Sequence, residues 1–471
     1  LQKFSKIVVG THVFVPRAEV EDERQLKDVL TVERKYNGER VKLYKLTKSW
    51  VGVPLYHFRN FEQKADKVID RRSYGYDAEI RFVKKLRPGQ EELLKKFKTL
   101  KASGGRGFLL NALPGFGKTV SILSMLAELK RTTLVVVPRS NLVTQWVSRI
   151  KQYTDLTDKD IGVAMADKCS YRGKKIVVGL VHSLALDRFG DDFKKYFGCI
   201  VLDEVDRSVP PQTFAPVVQM FPSAFRFGCS ATFKRQDGAE IVFYKHIGQY
   251  FLKGKDEGRM AAKVLMYQFD STSGSVWSKS QTLNRRGMLL SRLASNPIRN
   301  KVVRRFIELI VASGRRVIVL SDRAVQLVLL REMLLKEAER NKLTRDDIGF
   351  YVRRLPLITQ NIRTNDKIKF EEVTQSQRDL VAKKCKVILA TYGMMAIGTD
   401  IPDVAGLVYA TPQSETEQSR GRIERMVKGK KEPIVVDIVD RFYPDSVRWA
   451  KKREQGYREK GITIKYLHGG V

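Results

Sequence analysis

The sequence predicts an α/β protein, with two parallel-sheet domains in tandem behind a small β-containing N-terminal domain. Three observations carry this expectation. Short β-branched apolar runs alternate with helical periodicity over most of the chain. The runs fall into two sets separated by a polar stretch. The first 80 residues show neither feature. The first set is Leu134-Val135-Val136-Val137, Ile176-Val177-Val178, Cys199-Ile200-Val201-Leu202 and Arg226-Phe227-Gly228-Cys229. The second is Val317-Ile318-Val319-Leu320, Val387-Ile388-Leu389-Ala390, Leu407-Val408-Tyr409-Ala410 and Ile434-Val435-Val436-Asp437. Continuous apolar strands separated by helices mean a parallel sheet covered on both faces.

The break between the sets is expected in 255–265, because Lys253-Gly254-Lys255-Asp256-Glu257-Gly258 is polar and glycine-bearing. Residues 271–285 read as a loop in the second half. Residues 1–80 show strand-type alternation around Val41-Lys42-Leu43-Tyr44-Lys45-Leu46. The organisation is therefore 1–80, an accessory domain; 81–258 and 259–445, the two α/β domains; and 446–471, a basic, partly helical tail. No internal repeat is evident.

Composition narrows the class. The chain has 471 residues, 43% hydrophobic and 30% charged, which is enough apolar material for several packed cores and excludes wholesale disorder. Lys plus Arg total 87 against 52 acidic residues, a net charge of +35. That excess exceeds what solubility needs and points to a polyanionic partner. No apolar run approaches the length of a membrane span, and the start lacks the apolar stretch of a signal peptide, so the chain is read as intracellular and soluble. It begins with Leu1 rather than Met, so residues before it are expected. Cys169, Cys199, Cys229 and Cys385 are scattered and read as reduced core residues; neither they nor the five histidines suggest metal chemistry.

Two motifs carry chemistry. Ala112-Leu113-Pro114-Gly115-Phe116-Gly117-Lys118-Thr119 fits a phosphate-binding loop, with Ala at its first position, and stands between an apolar run and a helical pattern. Pro114, Gly115 and Gly117 shape a loop whose backbone N–H groups face phosphate oxygens. The helix N-terminus adds partial positive charge. Lys118 reaches the terminal phosphates and Thr119 offers a hydroxyl to Mg²⁺. Further along, Cys199-Ile200-Val201-Leu202 runs into Asp203-Glu204-Val205-Asp206. Carboxylates at the C-terminal end of a parallel strand sit where ligands bind. Asp203 is placed to hold Mg²⁺ and Glu204 to orient an attacking water. The bland alternative for this segment alone is a solvated acidic turn.

Together with further motifs, these make residues 80–440 resemble a superfamily 2 helicase or translocase, which implies two RecA-like domains. Leu86-Arg87-Pro88-Gly89-Gln90 is similar to the segment whose Gln contacts adenine. Val137-Pro138-Arg139-Ser140 through Gln145-Trp146 and Val181-His182-Ser183-Leu184 stand where nucleic-acid-contacting motifs belong, and Ser230-Ala231-Thr232 where the coupling motif does. Val319-Leu320-Ser321-Asp322-Arg323, the stretch from Ala390-Thr391 to Asp400-Ile401-Pro402, and Gln418-Ser419-Arg420-Gly421-Arg422-Ile423-Glu424-Arg425 complete the series. Ser230-Ala231-Thr232-Phe233-Lys234-Arg235-Gln236-Asp237-Gly238 is similar to a segment of the XPB-like and UvsW-like branch, with Phe233 in place of a Pro.

The resemblance implies ATP and Mg²⁺ as cofactors. It assigns adenine to Gln90, places Asp400 in the nucleotide site, makes Arg422 and Arg425 arginine fingers, and gives coupling to Ser230, Thr232 and Gln418. Arg139, His182 and Thr391 become nucleic-acid contacts. In the N-terminal segment, Trp50, Tyr56, His57 and Phe58 either stack on bases or fill a small β core; Trp146 and Trp449 read as packing residues. The implied function is ATP-dependent remodelling or unwinding of branched DNA, as in recombination, repair and branch migration, in a phage or virus. The alternatives are an RNA helicase or transcript-release factor, an ATP-gated scaffold, and a motor subunit that needs a partner.

Overall fold

The computed structural model describes the chain apart from residues 1–2, 34–37, 39, 58–64, 113–114, 205–210, 231–232, 234–239, 249, 255–259, 271–284, 358–368, 396–400, 402, 415, 428 and 470–471, and apart from the side chains at 211, 212, 214, 285, 417 and 418. The expected loop at 271–285 falls almost wholly outside the described residues. Two compact units divide the chain, Leu1–Glu257 and Gly258–Val471.

In the first unit, eight strands form one sheet. Its order is Lys168–Cys169, Ile161–Met165, Ile176–Leu180, Thr133–Val137, Cys199–Asp203, Phe225–Ser230, Gly107–Asn111 and Tyr250–Lys253. All pairings are parallel except the hairpin at the Lys168–Cys169 edge. Alternate strand residues go to opposite faces. Phe108, Leu110, Val135, Val137, Val201 and Phe227 pack with Leu93, Phe97, Ile122, Leu126, Trp146 and Ile150. These come from the helices Pro88–Ala102, Lys118–Leu129 and Ser140–Tyr153. Leu109, Leu134, Val136, Ile200 and Leu202 join a second cluster on the other face, with Phe193, Val218 and Phe243.

That second cluster also takes in residues 1–80, read above as a separate domain. Their five-stranded sheet runs in the order Lys45–Leu46, Trp50–Val53, Val13–Pro16, Phe4–Val9 and Ala65–Asp70. Its apolar face supplies Phe4, Ile7, Val13, Val51 and Val53 to the same core as the first α/β sheet. The alternation around 41–46 does not form one strand. Arg40–Lys42 pairs with Thr31–Glu33, and Lys45–Leu46 pairs with Trp50–Val53. Between them Leu43 is fully buried and its N–H bonds to the Leu30 carbonyl.

The second unit is a wholly parallel seven-stranded sheet. The order is Ile348–Tyr351, Val387–Thr391, Val317–Ser321, Gly406–Tyr409, Ile434–Asp440, Lys263–Phe269 and Ile464–His468. The helices Pro297–Ala312 and Ala324–Lys336 cover one face through Val303, Phe306, Leu327 and Leu330. Tyr392, Ile423, Ala450 and Tyr457 pack on the other. Residues 446–471, read as a basic tail, are part of this packing. Ala450 and Tyr457 lie on the helix Pro444–Arg458, and Ile464–His468 pairs with Lys263–Phe269. The Lys and Arg count disguised the buried stripe of that helix, which is spaced as an amphipathic face.

Candidate active site

Strand Gly107–Asn111 delivers the chain to the loop before the helix Lys118–Leu129. Gly115 and Gly117 have φ of 97° and 93°, the left-handed region that favours glycine. A Cβ at Gly117 would also lie 2.5 Å from the Gln90 amide nitrogen, so a side chain there would displace the Gln90 brace. The loop is tied to the start of helix Pro88–Ala102. Gln90, buried, donates from Nε2 to the Phe116 carbonyl (2.8 Å) and accepts the Arg87 N–H at Oε1 (3.0 Å). The Arg87 guanidinium donates to the carbonyls of Gly115 and Phe116. Gln90, expected to read adenine, thus braces the phosphate loop in this structure.

Lys118 stands at the helix N-terminus, its Nζ 3.4 Å from Glu204 Oε1. Thr119 follows it in the first turn, partly exposed. Asp203 closes strand Cys199–Asp203. Its carboxylate is held by neutral donors. The Glu204 N–H and the Cys229 thiol donate to Oδ1, each at 3.0 Å, and the Trp146 indole N–H donates to Oδ2 at 2.7 Å. Burial, then the adjacent Asp203 charge, pushes the Cys229 thiol well above its ordinary range, so it remains a donor. Glu204 has φ of 50°, uncommon for a residue with a side chain. Ser230 ends the strand next to the loop strand; it is buried and its carbonyl accepts the Ala112 N–H at 3.2 Å.

Sequence reading missed Trp146 and Cys229 as parts of this site. Each sits in an apolar pattern, and nothing in the pattern marks an indole N–H or a thiol that reaches a carboxylate far along the chain.

The candidate nucleic-acid contacts lie at the same ends of their strands. Arg139 is exposed beyond Thr133–Val137, and His182 is exposed in the short helix after Ile176–Leu180. Those strands are paired, with Val137 opposite Leu180. In the second unit Thr391 ends Val387–Thr391, partly buried. Arg422 is buried in helix Glu417–Ile423 and Arg425 is partly exposed just after it. Arg420, on the same helix, pairs with Glu424 at 2.9 Å. Pro114, Thr232 and Asp400 lie outside the described residues, as does the side chain of Gln418. Tyr56 packs against the buried core, and His57 Nδ1 is 3.2 Å from Lys245 Nζ; Phe58 is outside the described residues.

Among the described residues no cluster of three or more His, Cys, Asp or Glu side chains is suited to a metal, and no helix is long and apolar enough to cross a membrane. The hard oxygens of Thr119 and Asp203 nevertheless fit Mg²⁺, which takes one or two protein oxygens, several waters and substrate phosphates.

Known proteins agree with the motif series. The family model of the type III restriction enzyme res subunit matches residues 83–235. A protein of Acanthamoeba polyphaga mimivirus, provisionally named an ATP-dependent RNA helicase, is 28% identical over 438 residues, 91% of this chain and 78% of that protein. The DNA 3'-5' translocase XPB2 of Sulfurisphaera tokodaii is 25% identical over 363 residues, 72% of this chain and 79% of its own. Among solved structures, Saccharomyces cerevisiae Dbp5 bound to RNA and ADP BeF3 has a TM-score of 0.52 at 15% identity, covering 81% of this chain and 94% of that one, which shows a shared fold. The ordered motifs, the family match over residues 83–235 and relatives spanning most of its length support a superfamily 2 helicase-type ATPase, similar to proteins of the XPB-like branch.

Proposed function

We propose that the protein is an ATP-dependent DNA translocase that remodels branched DNA such as forks and junctions. The observation that carries the motor reading is the convergence of Lys118, Glu204 and Asp203 beside a phosphate-type loop at the C-terminal ends of interior strands of one sheet. The DNA reading is supported by the likeness to a DNA translocase along most of the chain, and the net charge of +35 suits a nucleic acid of either kind. In this reading Gln90 holds adenine while bracing the loop, and Gly115, Gly117 and Pro114 shape the loop that presents backbone N–H groups to phosphate. Lys118 neutralises the terminal phosphates. Thr119 and Asp203 hold Mg²⁺, which supplies charge neutralisation at the phosphates when bound. Glu204 leaves Lys118 for the attacking water and takes its proton. Arg422 and Arg425 stabilise charge on the transferring group. Asp400 belongs to the nucleotide site; Ser230, Thr232 and Gln418 couple it to the nucleic-acid grip of Arg139, His182 and Thr391.

A second reading, an RNA helicase or transcript-release enzyme, is favoured by the mimivirus relative's name. ATPase rate at fixed salt against single strand, duplex, fork, four-way junction and RNA separates the two. Strongest stimulation by forks and junctions is expected. Preference for RNA or transcript hybrids overturns the DNA reading, and no stimulation by any of them overturns both.

A further inference from the structure

We infer that Trp146 is a positioning residue, one that ties the helix starting beside Arg139 to the carboxylate of Asp203. The inference rests on the proposed role of Asp203 at the metal and deepens it. Trp146 lies on the helix Ser140–Tyr153, whose first turn follows the exposed Arg139. Its side chain is 1% exposed, among Leu142, Val143 and Ile150. Packing alone at such a position is satisfied by Phe or Leu. The indole adds one N–H, a donor with no acceptor function, and that N–H lies 2.7 Å from Asp203 Oδ2. Left without a partner when buried, that donor would be a lost hydrogen bond in the core.

The division of donors gives the bond its consequence. Both donors to Oδ1 sit on the central sheet: Glu204 N–H follows Asp203 itself, and Cys229 is on the neighbouring strand. Oδ2 is held from a helix. The carboxylate plane is therefore set by where that helix lies relative to the sheet. A ligand pulling on the N-terminal end of the helix turns the carboxylate, and small misplacements of a catalytic group carry large rate effects. Nucleic acid at Arg139 is a ligand of that kind.

The test compares the full chain with Trp146→Phe, which keeps the ring and removes the donor. Mn²⁺ binding to the ADP complex, read by electron paramagnetic resonance, is expected to weaken about ten-fold. ADP affinity in EDTA is expected to stay the same, and the ratio of DNA-stimulated to basal ATPase to fall several-fold. Unchanged Mn²⁺ affinity and an unchanged ratio overturn the inference. Leu142→Ala loosens the same helix without touching Asp203; an equal loss of Mn²⁺ affinity there also overturns it, since general packing would then be the cause.

If Trp146→Phe does not fold, the wild-type indole N–H resonance answers instead, assigned by replacing the other three tryptophans singly. It should move on adding Mg²⁺ to the ADP complex and again on adding single-stranded DNA. No movement with DNA overturns the coupling. Failure of the underlying reading looks different: the wild-type chain then binds no Mn²⁺ with ADP, and Lys118→Ala matches its ATPase rate.

Discussion

The first unit places one aspartate on a central parallel strand and the second unit two, and the units treat them in opposite ways. In the second unit Asp437 receives Arg453 at Nε and a second guanidinium nitrogen (2.8 and 2.6 Å) and the Tyr457 hydroxyl (3.0 Å). Asp440 receives Arg299 at 2.6 and 3.2 Å. All four charged side chains are buried. In the first unit Asp203 is held by an indole, a thiol and an amide, all neutral. Both arrangements fix a carboxylate. Only the neutral one leaves its negative charge uncompensated by its own donors and so available to a cation. A strand-end acid is thus read by the charge of its donors, not by its position alone.

The largest expected effect falls on the first unit. Lys118→Ala should lower ATP turnover about 100- to 1,000-fold while DNA affinity, measured by anisotropy, stays within a few-fold. Retained turnover would remove Lys118 from the site. Arg425→Ala should reduce turnover far more than ATP affinity, as expected of a group that acts on developing charge. If titration shows that affinity alone falls, the finger role is wrong.

The aspartates themselves sharpen the contrast. Arg453→Leu strands Asp437 in the core and should destabilise the second unit by about 3–5 kcal/mol in chemical denaturation. Asp203→Asn should alter stability by only about 1 kcal/mol yet abolish most turnover. Equal stability losses for the two would erase the distinction.

A smaller effect concerns the histidines between the N-terminal sheet and helix Ile241–His246. His12 and His246 are fully buried, their rings 5.5 Å apart, with Arg226 and Lys45 nearby. Burial, then the charge of Arg226 and of Lys45, holds His246 down to about 3 from an ordinary 6.5. His12 is likewise held well below its ordinary value, first by burial and then by its charged neighbours. Between those values the unfolded chain binds the proton and the folded one does not, so stability is full above 6.5 and falls as pH drops towards 3. At pH 5 the loss is about 2 kcal/mol for His246 alone. Thermal melting should be several degrees lower at pH 5 than at pH 7, and no change would mean these rings are not kept neutral.

The same contrast explains what the sequence makes legible. Strands such as Leu134–Val137 or Val317–Leu320 announce themselves because both faces are buried, leaving unbroken apolar runs. The glycine loop is visible because only glycine readily tolerates the φ of Gly115 and Gly117. Trp146, Arg453 and His246 are silent. Their meaning lies in partners far along the chain, and an indole in an apolar helix, or an arginine in a basic one, looks like packing or a solvated face. The same holds for residues 1–80, whose apolar face shows in the pattern while the surface that covers it does not.

Glu204 carries one more consequence. Its left-handed backbone would be relaxed in glycine. Glu204→Gly and Glu204→Ala both lose the carboxylate and its contact with Lys118, so the difference between them isolates the backbone, and Gly should be the more stable by about 1 kcal/mol. If so, a residue favoured by stability alone is excluded there by chemistry, and sequences drifting under weak demand for turnover would be expected to accumulate glycine at this position first.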